Sequence, residues 1–364
     1  MRAAKGFFIW LVVLVGLVSA AGAQQLNAPQ PAVNTAANER VSTEWGPGPM
    51  SLWSNTPDGQ QAPKKAKAEI GPPKPIKPRQ IDPSMVGYID DASLGNEVRI
   101  RFDAGFDDPR PDRAEYFYQG NSSPNPGTSA TQRTLNFQQL YLSGEYAPFK
   151  RLSVFAMVPF RWIQPFFIVA PGTTPNLGDD GGISDVQAGL KFAALTTEKT
   201  QVTLQLRSYF PTGDGQKGLG TGHYSIEPMV LLYQKLNDRT ALEGEAGDTH
   251  PIGGMTYVNP PAPPQQWSAD VAMYGLGPSY ELITRGNYSF APVLELVAWH
   301  VFGGLQTGSN NQAQSAAGIN VFNAKLGGRL NFDHGSSIYA GYGRGITSDI
   351  WYRNLFRVEY RRSF

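Results

Sequence analysis

The chain has 364 residues, 31 Lys and Arg against 30 Asp and Glu, a formal charge of +1, and no Cys. A near-neutral balance argues against nucleic acid as a partner, because phosphate recognition needs a basic surplus. The lack of Cys excludes disulfides, thiolate metal sites and cysteine catalysis. The one long apolar run lies at the N-terminus and is too short for a bilayer-spanning helix, so a helical membrane protein is excluded.

In chain order, Arg2 and Lys5 precede the apolar run Phe7 to Val18, and the small residues Ala21, Gly22 and Ala23 follow. That is the pattern of a secretory signal peptide over residues 1–23, with cleavage expected near Ala23 and export as the consequence. Residues 24–83 hold 11 of the 29 prolines, lack periodicity, and end in the basic run Lys64, Lys65, Lys67, Lys74, Lys77 and Arg79. Such a segment buries too little apolar surface to offset its ordering entropy, which predicts a disordered periplasmic arm. It reads as an inert spacer or as an extended polyproline-type arm that meets an anionic partner such as the cell wall.

Residues 84–364 are expected to form the barrel domain, with period-two patterning setting in near Asn96. Val98, Ile100, Phe102 and Ala104 alternate with Arg99, Arg101 and Asp103. Leu204, Leu206 and Phe210 likewise alternate with Thr203, Gln205 and Arg207. The rhythm recurs over about twelve segments of membrane-strand length. Two of them, 268–282 and 338–346, alternate too poorly for their faces to be assigned. Tight turns near 148, 198, 237, 285 and 334 alternate with longer links near 107–131, 163–182, 211–223, 249–267 and 303–317. Short periplasmic turns opposite long outer loops are the asymmetry of outer-membrane barrels. The predicted fold is therefore all-β: a transmembrane, antiparallel, up-and-down β-barrel of about 12 strands in the bacterial outer membrane.

The C-terminus agrees. Phe356, Val358, Tyr360 and Phe364 share one face of the last strand, and Arg357, Glu359, Arg361 and Ser363 share the other. An amphipathic final strand ending in an aromatic residue is read as the signal for the barrel-assembly machinery, with outer-membrane lipid against the apolar face. Arg362 breaks the outward series where it could snorkel to headgroups. Two aromatic belts are predicted. Trp162, Phe210, Trp267, Trp299, Trp351 and Tyr352 would form the outer one, and Phe149, Phe192, Tyr233, Tyr288, Phe332 and Phe364 the periplasmic one.

The inward set is strongly charged. Arg99, Arg101, Asp103, Glu145, Arg161, Asp185, Lys191, Arg207, Glu227, Glu243, Glu245, Glu295, Lys325, Arg329, Arg357, Glu359 and Arg361 are the predicted lumen-lining residues. Charges cannot face lipid cheaply, so these must pair with one another or meet water. They describe either a narrow polar channel or a lumen cross-linked by ion pairs.

Other motifs are weak. Residues 210–222, FPTGDGQKGLGTG, lack the Gly-Lys-Ser/Thr ending and following helix of a phosphate-binding loop and read as an outer hairpin loop. The acidic pairs Asp107, Asp108 and Asp179, Asp180 lack the ligand spacing of a Ca²⁺ site. His223 and Ser225 share a strand face at a spacing found in an outer-membrane phospholipase, yet no group to orient the His is evident. No catalytic, cofactor or metal site is predicted, and the chain is expected not to be an enzyme; a lipid hydrolase is the remote alternative.

Residues 182–191, GISDVQAGLK, and the loop 210–222 carry a resemblance. They resemble the family of outer-membrane barrel transporters named for the MetA pathway of phenol degradation, over about residues 180–250. The resemblance implies passage of small, often aromatic or hydrophobic solutes, with no catalytic residues and no cofactor. A narrow channel for a small-molecule solute is thus the expected function. The alternative is a structural barrel tethered to the cell wall through its basic arm.

Overall fold

A computed structural model describes residues 84–108, 132–167, 179–254, 256–257, 265–307 and 313–364. The predicted signal peptide and arm lie outside the described residues.

Twelve strands pass up and down: β1 Glu97–Asp108, β2 Gln132–Phe149, β3 Leu152–Phe167, β4 Val186–Thr196, β5 Thr200–Phe210, β6 Tyr224–Lys235, β7 Thr240–Ile252, β8 Val271–Tyr280, β9 Tyr288–Val301, β10 Asn320–Phe332, β11 Ser336–Gly345 and β12 Asn354–Ser363. Two shorter segments of the same sheet are accessory. Asp180–Ile183 continues β4 upstream along β3, and Ile283–Arg285 folds back on the start of β9. Each strand pairs antiparallel with the next, and β1 closes on β12 from Glu97↔Ser363 to Phe106↔Asn354. Closure is what makes the fold viable in lipid, since it leaves no strand edge with unpaired amides.

Alternation sets the facing. Val98, Ile100, Phe102, Leu204, Leu206, Phe356, Val358 and Tyr360 are exposed on the outer surface, while their neighbours Arg99, Asp103, Gln205, Arg357, Glu359 and Arg361 point inward. A soluble protein would not leave such a continuous apolar exterior to water. Strand termini 97 and 363 lie at the short-turn end, which in barrels of this kind is periplasmic. There Arg362 donates to Ser336 Oγ at 2.8 Å and to the His334 carbonyl, fastening the last strand to the preceding turn.

The belts need correction. Trp162, Phe210, Phe149, Phe192, Phe332 and Phe364 are exposed as predicted, but Trp267, Trp299, Trp351, Tyr352 and Tyr233 are buried. Trp299 shares the inward parity of Glu295 and Val297 on β9, and Tyr233 that of Met229 and Leu231 on β6. Trp299, Trp351, Tyr352 and Tyr233 furnish the lumen, and Trp267 is buried among the outer connections, where its carbonyl accepts from Leu305 N at 3.0 Å.

The two strands without readable alternation also resolve. On β8, Met273, Gly275, Gly277 and Ser279 face inward; on β11, Ser337, Tyr339, Gly341 and Gly343 do. Apart from Met273 and Tyr339 these inward positions are small, because the space in front is taken on β8 by the segment that precedes β1 and on β11 by the Tyr339 and Lys325 side chains. A Cβ at Gly277 would lie 2.7 Å from Val86 Cγ1, and one at Gly275 would lie 3.0 Å from Ile89 Cγ1.

Candidate functional site: a filled lumen beneath a polar and aromatic cavity

Val86 and Ile89 belong to residues 84–96, which precede the first strand and run inside the barrel as irregular backbone. A buried chain with no neighbouring strand must still satisfy its backbone polar groups, and here wall side chains do so. Glu243 Oε1 accepts from the Met85 amide at 2.9 Å. Glu295 accepts from the amides of Gly87 at 3.1 Å, Tyr88 at 2.8 Å and Ile89 at 2.9 Å, and from the Tyr339 hydroxyl at 2.9 Å. Glu245 Oε2 accepts from the Asp90 amide at 2.8 Å. On the carbonyl side, Arg329 donates to Met85 O at 3.1 Å and Val86 O at 2.7 Å. Arg357 donates to Gly87 O at 2.6 Å, and Lys191 to Asp91 O at 2.9 Å. Gln201 and Thr203 both donate to Ala92 O.

Acids of the segment meet wall arginines. Asp91 pairs with Arg361 at 2.9 Å and Arg99 at 3.4 Å, and Asp90 pairs with Arg207. Other wall charges pair with one another. Glu359 lies 2.8 Å from Arg329 and 3.2 Å from Arg361, Asp103 is held bidentately by Arg357, and Glu145 lies 2.8 Å from Lys191. Removing charges from water is costly unless every partner is in place. This network supplies such partners, and the inserted segment is part of it.

The structure places the seventeen predicted lumen residues as follows. Asp103, Glu145, Arg161, Asp185, Lys191, Glu227, Glu243, Glu245, Glu295, Lys325, Arg329, Arg357, Glu359 and Arg361 are buried, and Arg99, Arg101 and Arg207 are partly buried. They divide by height. Arg99, Glu145, Lys191, Glu243, Glu295, Arg329, Glu359 and Arg361 surround the inserted segment on the periplasmic side. Arg101, Asp103, Arg161, Asp185, Arg207, Glu227, Lys325 and Arg357 line a cavity of about 220 Å³ above it, with Glu245 between the two. Thus the lumen is not a continuous polar pore in this state.

Tyr88 and Asp90 of the segment contribute to the cavity lining. Lys325 Nζ and Arg357 Cζ each lie 4.1 Å from the Tyr88 ring centroid, a double cation–π contact. Trp299 and Trp351 pack at 4.8 Å beside them. Phe137, Tyr141 and Tyr209 complete an aromatic lining that the sequence reading missed. Parity was the available signal: Phe137 and Tyr141 stand in step with Glu145, and Tyr209 with Arg207.

Asp185 has a second task. Its carboxylate accepts from the amides of Gly213 at 3.0 Å and Thr221 at 2.6 Å, while Thr212 Oγ1 accepts from Val186 N at 2.9 Å and donates to Ser184 O at 2.8 Å. The loop 211–223 is thereby folded against the barrel wall. Gly220 has to be glycine, because a Cβ there would collide with Asp185 Oδ1. This gives the GISD run and the glycine-rich loop one joint structural role.

His223 and Ser225 also reach the cavity, buried and 3.2 Å apart. However, the contact uses His223 Nδ1, which also lies 3.0 Å from the Tyr224 carbonyl. A base that orients through one ring nitrogen and accepts a proton at the other would need a different arrangement. Burial pushes the His223 imidazole below its ordinary value.

A closed antiparallel barrel with a lipid-facing apolar exterior and a charged interior is a transmembrane barrel of the outer-membrane type. No protein-family model matches the sequence, and no curated protein matches it. Among solved structures, an outer-membrane channel of Pseudomonas putida F1 aligns with a TM-score of 0.51 at 15% identity, over 75% of this chain and 96% of that one. The toluene transporter TbuX of Ralstonia pickettii aligns at 0.38 and 11% identity, over 75% and 90%. LpxR of Salmonella typhimurium aligns at 0.40 and 9% identity, over 74% and 100%. The first of these agrees with the fold.

Proposed function

We propose that the protein is an outer-membrane conduit for small solutes that rests in a closed state, with residues 84–96 as its removable stopper. The observation that carries this reading is how the segment is held. From Met85 to Ala92 its backbone is capped by side chains of the wall, not by strand pairing, and only at Asn96, whose carbonyl accepts from the Phe364 amide at 2.9 Å, does it join the strand ladder, so residues 84–95 can leave without breaking a rung of the barrel. The cavity above it gives a solute a place to bind, and its aromatic lining suits a small apolar or aromatic body. The resemblance over residues 180–250 points the same way.

Conductance in planar bilayers tests the reading. The intact protein should show rare or small openings, and a variant lacking residues 84–95 should show large, stable ones. If the shortened variant stays closed while migrating as a folded barrel, the interior is a solid strut and the protein is structural.

A further inference from the structure

The Asp90 carboxylate is the acid of the inserted segment that lines the cavity. It is ion-paired with Arg207 and accepts from Gln205 Nε2 at 2.9 Å. Arg207 has a second acid, Glu227, at 3.2 Å, but that one is fixed in the wall by Tyr209 OH and Thr249 Oγ1, each at 2.8 Å. So the arginine carries one immovable carboxylate and one that belongs to the stopper.

We propose that the cavity takes a small organic carboxylate with an apolar body, and that Asp90 holds the position of that carboxylate on Arg207 while the site is empty. This rests on the conduit reading and names its substrate class. Exchange of one carboxylate for another leaves the charge around Arg207 unchanged. A neutral solute displacing Asp90 would leave the Arg207 and Gln205 donors that Asp90 held without a carboxylate acceptor, and a cation would set a like charge against the guanidinium; both lose charge-assisted hydrogen bonds that a carboxylate restores. Guanidinium and side-chain amide donors together are the donor set a carboxylate needs. Tyr209, Tyr141 and Phe137 offer apolar faces to its body. A volume of about 220 Å³ falls below that of drug-sized pockets, which limits the body to a single ring or its equivalent. Binding then weakens one of the ties that keep the stopper in place, so the solute favours its own passage.

The test uses the purified full chain in detergent, with benzoate, benzyl alcohol, benzylamine and inorganic phosphate as probes. Binding is read calorimetrically and by the fluorescence of Trp299 and Trp351. Benzoate should bind in preference to the other three. Asp90→Asn and Asp90→Ala remove the competing carboxylate and should tighten benzoate binding about tenfold or more, the size of a charged hydrogen bond. Asp91→Asn, which removes one carboxylate from Arg361 and Arg99 outside the cavity while Glu359 and Glu97 remain on them, should leave benzoate binding unchanged. Arg207→Gln should abolish the preference for benzoate over benzyl alcohol.

Equal binding of benzoate and benzyl alcohol overturns the proposal, as does absence of benzoate binding. Like effects of the Asp90 and Asp91 variants would show general loosening of the segment and overturn it too. Failure of the conduit reading looks different: benzoate binds with the expected pattern, yet removal of residues 84–95 yields no conductance.

Discussion

The Glu295 carboxylate accepts the amide of Tyr88 at 2.8 Å across 207 positions of sequence, and the amides of Gly87 and Ile89 converge on the same side chain. One wall residue on β9 thus organises a turn of the inserted segment as a helix cap or a metal would. Hydrogen bonds to charged groups are worth roughly 1.5–3 kcal/mol each. Glu295→Ala should therefore loosen the segment while the strand ladder holds. The expected result is a barrel that keeps heat-modifiable migration, becomes cleavable within residues 84–96, and opens in bilayers. Loss of the folded band altogether would show that Glu295 supports the wall and not the stopper.

Steric exclusion should act in the same direction. Gly277→Val would drive a side chain into Val86, which a Cβ alone approaches to 2.7 Å. Overpacking a filled interior typically costs about 1–3 kcal/mol. Here the cost falls on a segment that can leave. The variant is expected to fold, with raised conductance. In the chain lacking residues 84–95 the same substitution should cost less stability, because Val86 and Ile89 are gone and only Glu295 Cγ, at 3.1 Å, still crowds the Cβ; the double-mutant comparison measures that coupling directly.

These two residues also show what the sequence could and could not disclose. The lipid face is a one-dimensional pattern, so Val98, Ile100 and Phe102 declare β1 without any tertiary knowledge, and the closing strand β12 is equally plain. Where the interior is filled, by the inserted segment in front of β8 and by the Tyr339 and Lys325 side chains in front of β11, inward positions become glycine and the contrast that defines alternation disappears. Residues 84–96 themselves carry no period, since their hydrogen-bond partners are side chains up to 270 positions away, such as Arg357 and Arg361. Parity separates the charged residues from the apolar ones on each strand. The partition of the charged set between stopper and cavity was not legible, because that depends on height in the barrel, which parity does not encode. The belt misassignments of Trp299 and Tyr233 came from weighing ring position along the strand over ring parity.

Facing on β5 can be tested at neighbouring positions. Leu204 is 46% exposed on the lipid side. Leu204→Arg places a charge at mid-membrane depth, at a cost of about 2–4 kcal/mol, and should lower the denaturant midpoint for folding into vesicles. Arg207, on the lumen side of the same strand, balances Asp90 and Glu227. Arg207→Ala should spare membrane insertion, since no lipid contact is lost. It should release the segment more often and shift the selectivity of the open state toward cations. A harmless Leu204→Arg together with failed insertion of Arg207→Ala would invert every inward assignment, as a one-residue register slip does.

The last prediction concerns where the stopper ends. The hydrogen bonds and ion pairs described above that hold it are made by residues Met85 to Ala92 themselves, from the Glu243 contact at Met85 to the Gln201 contact at Ala92. A chain beginning at Ser84 should therefore fold and remain closed, and one beginning at Glu97 should fold and conduct. The basic run from Lys64 to Arg79 would then have no part in closure, and neutralising it should leave conductance unchanged. If the arm instead reaches the cell wall, neutralising Lys64, Lys65, Lys67, Lys74, Lys77 and Arg79 should weaken co-sedimentation with cell-wall fragments in a salt-dependent way. Should the chain beginning at Ser84 conduct as freely as the one beginning at Glu97, the side-chain caps are too weak to retain the segment alone. Closure would then depend on upstream residues that hold it from the periplasmic side.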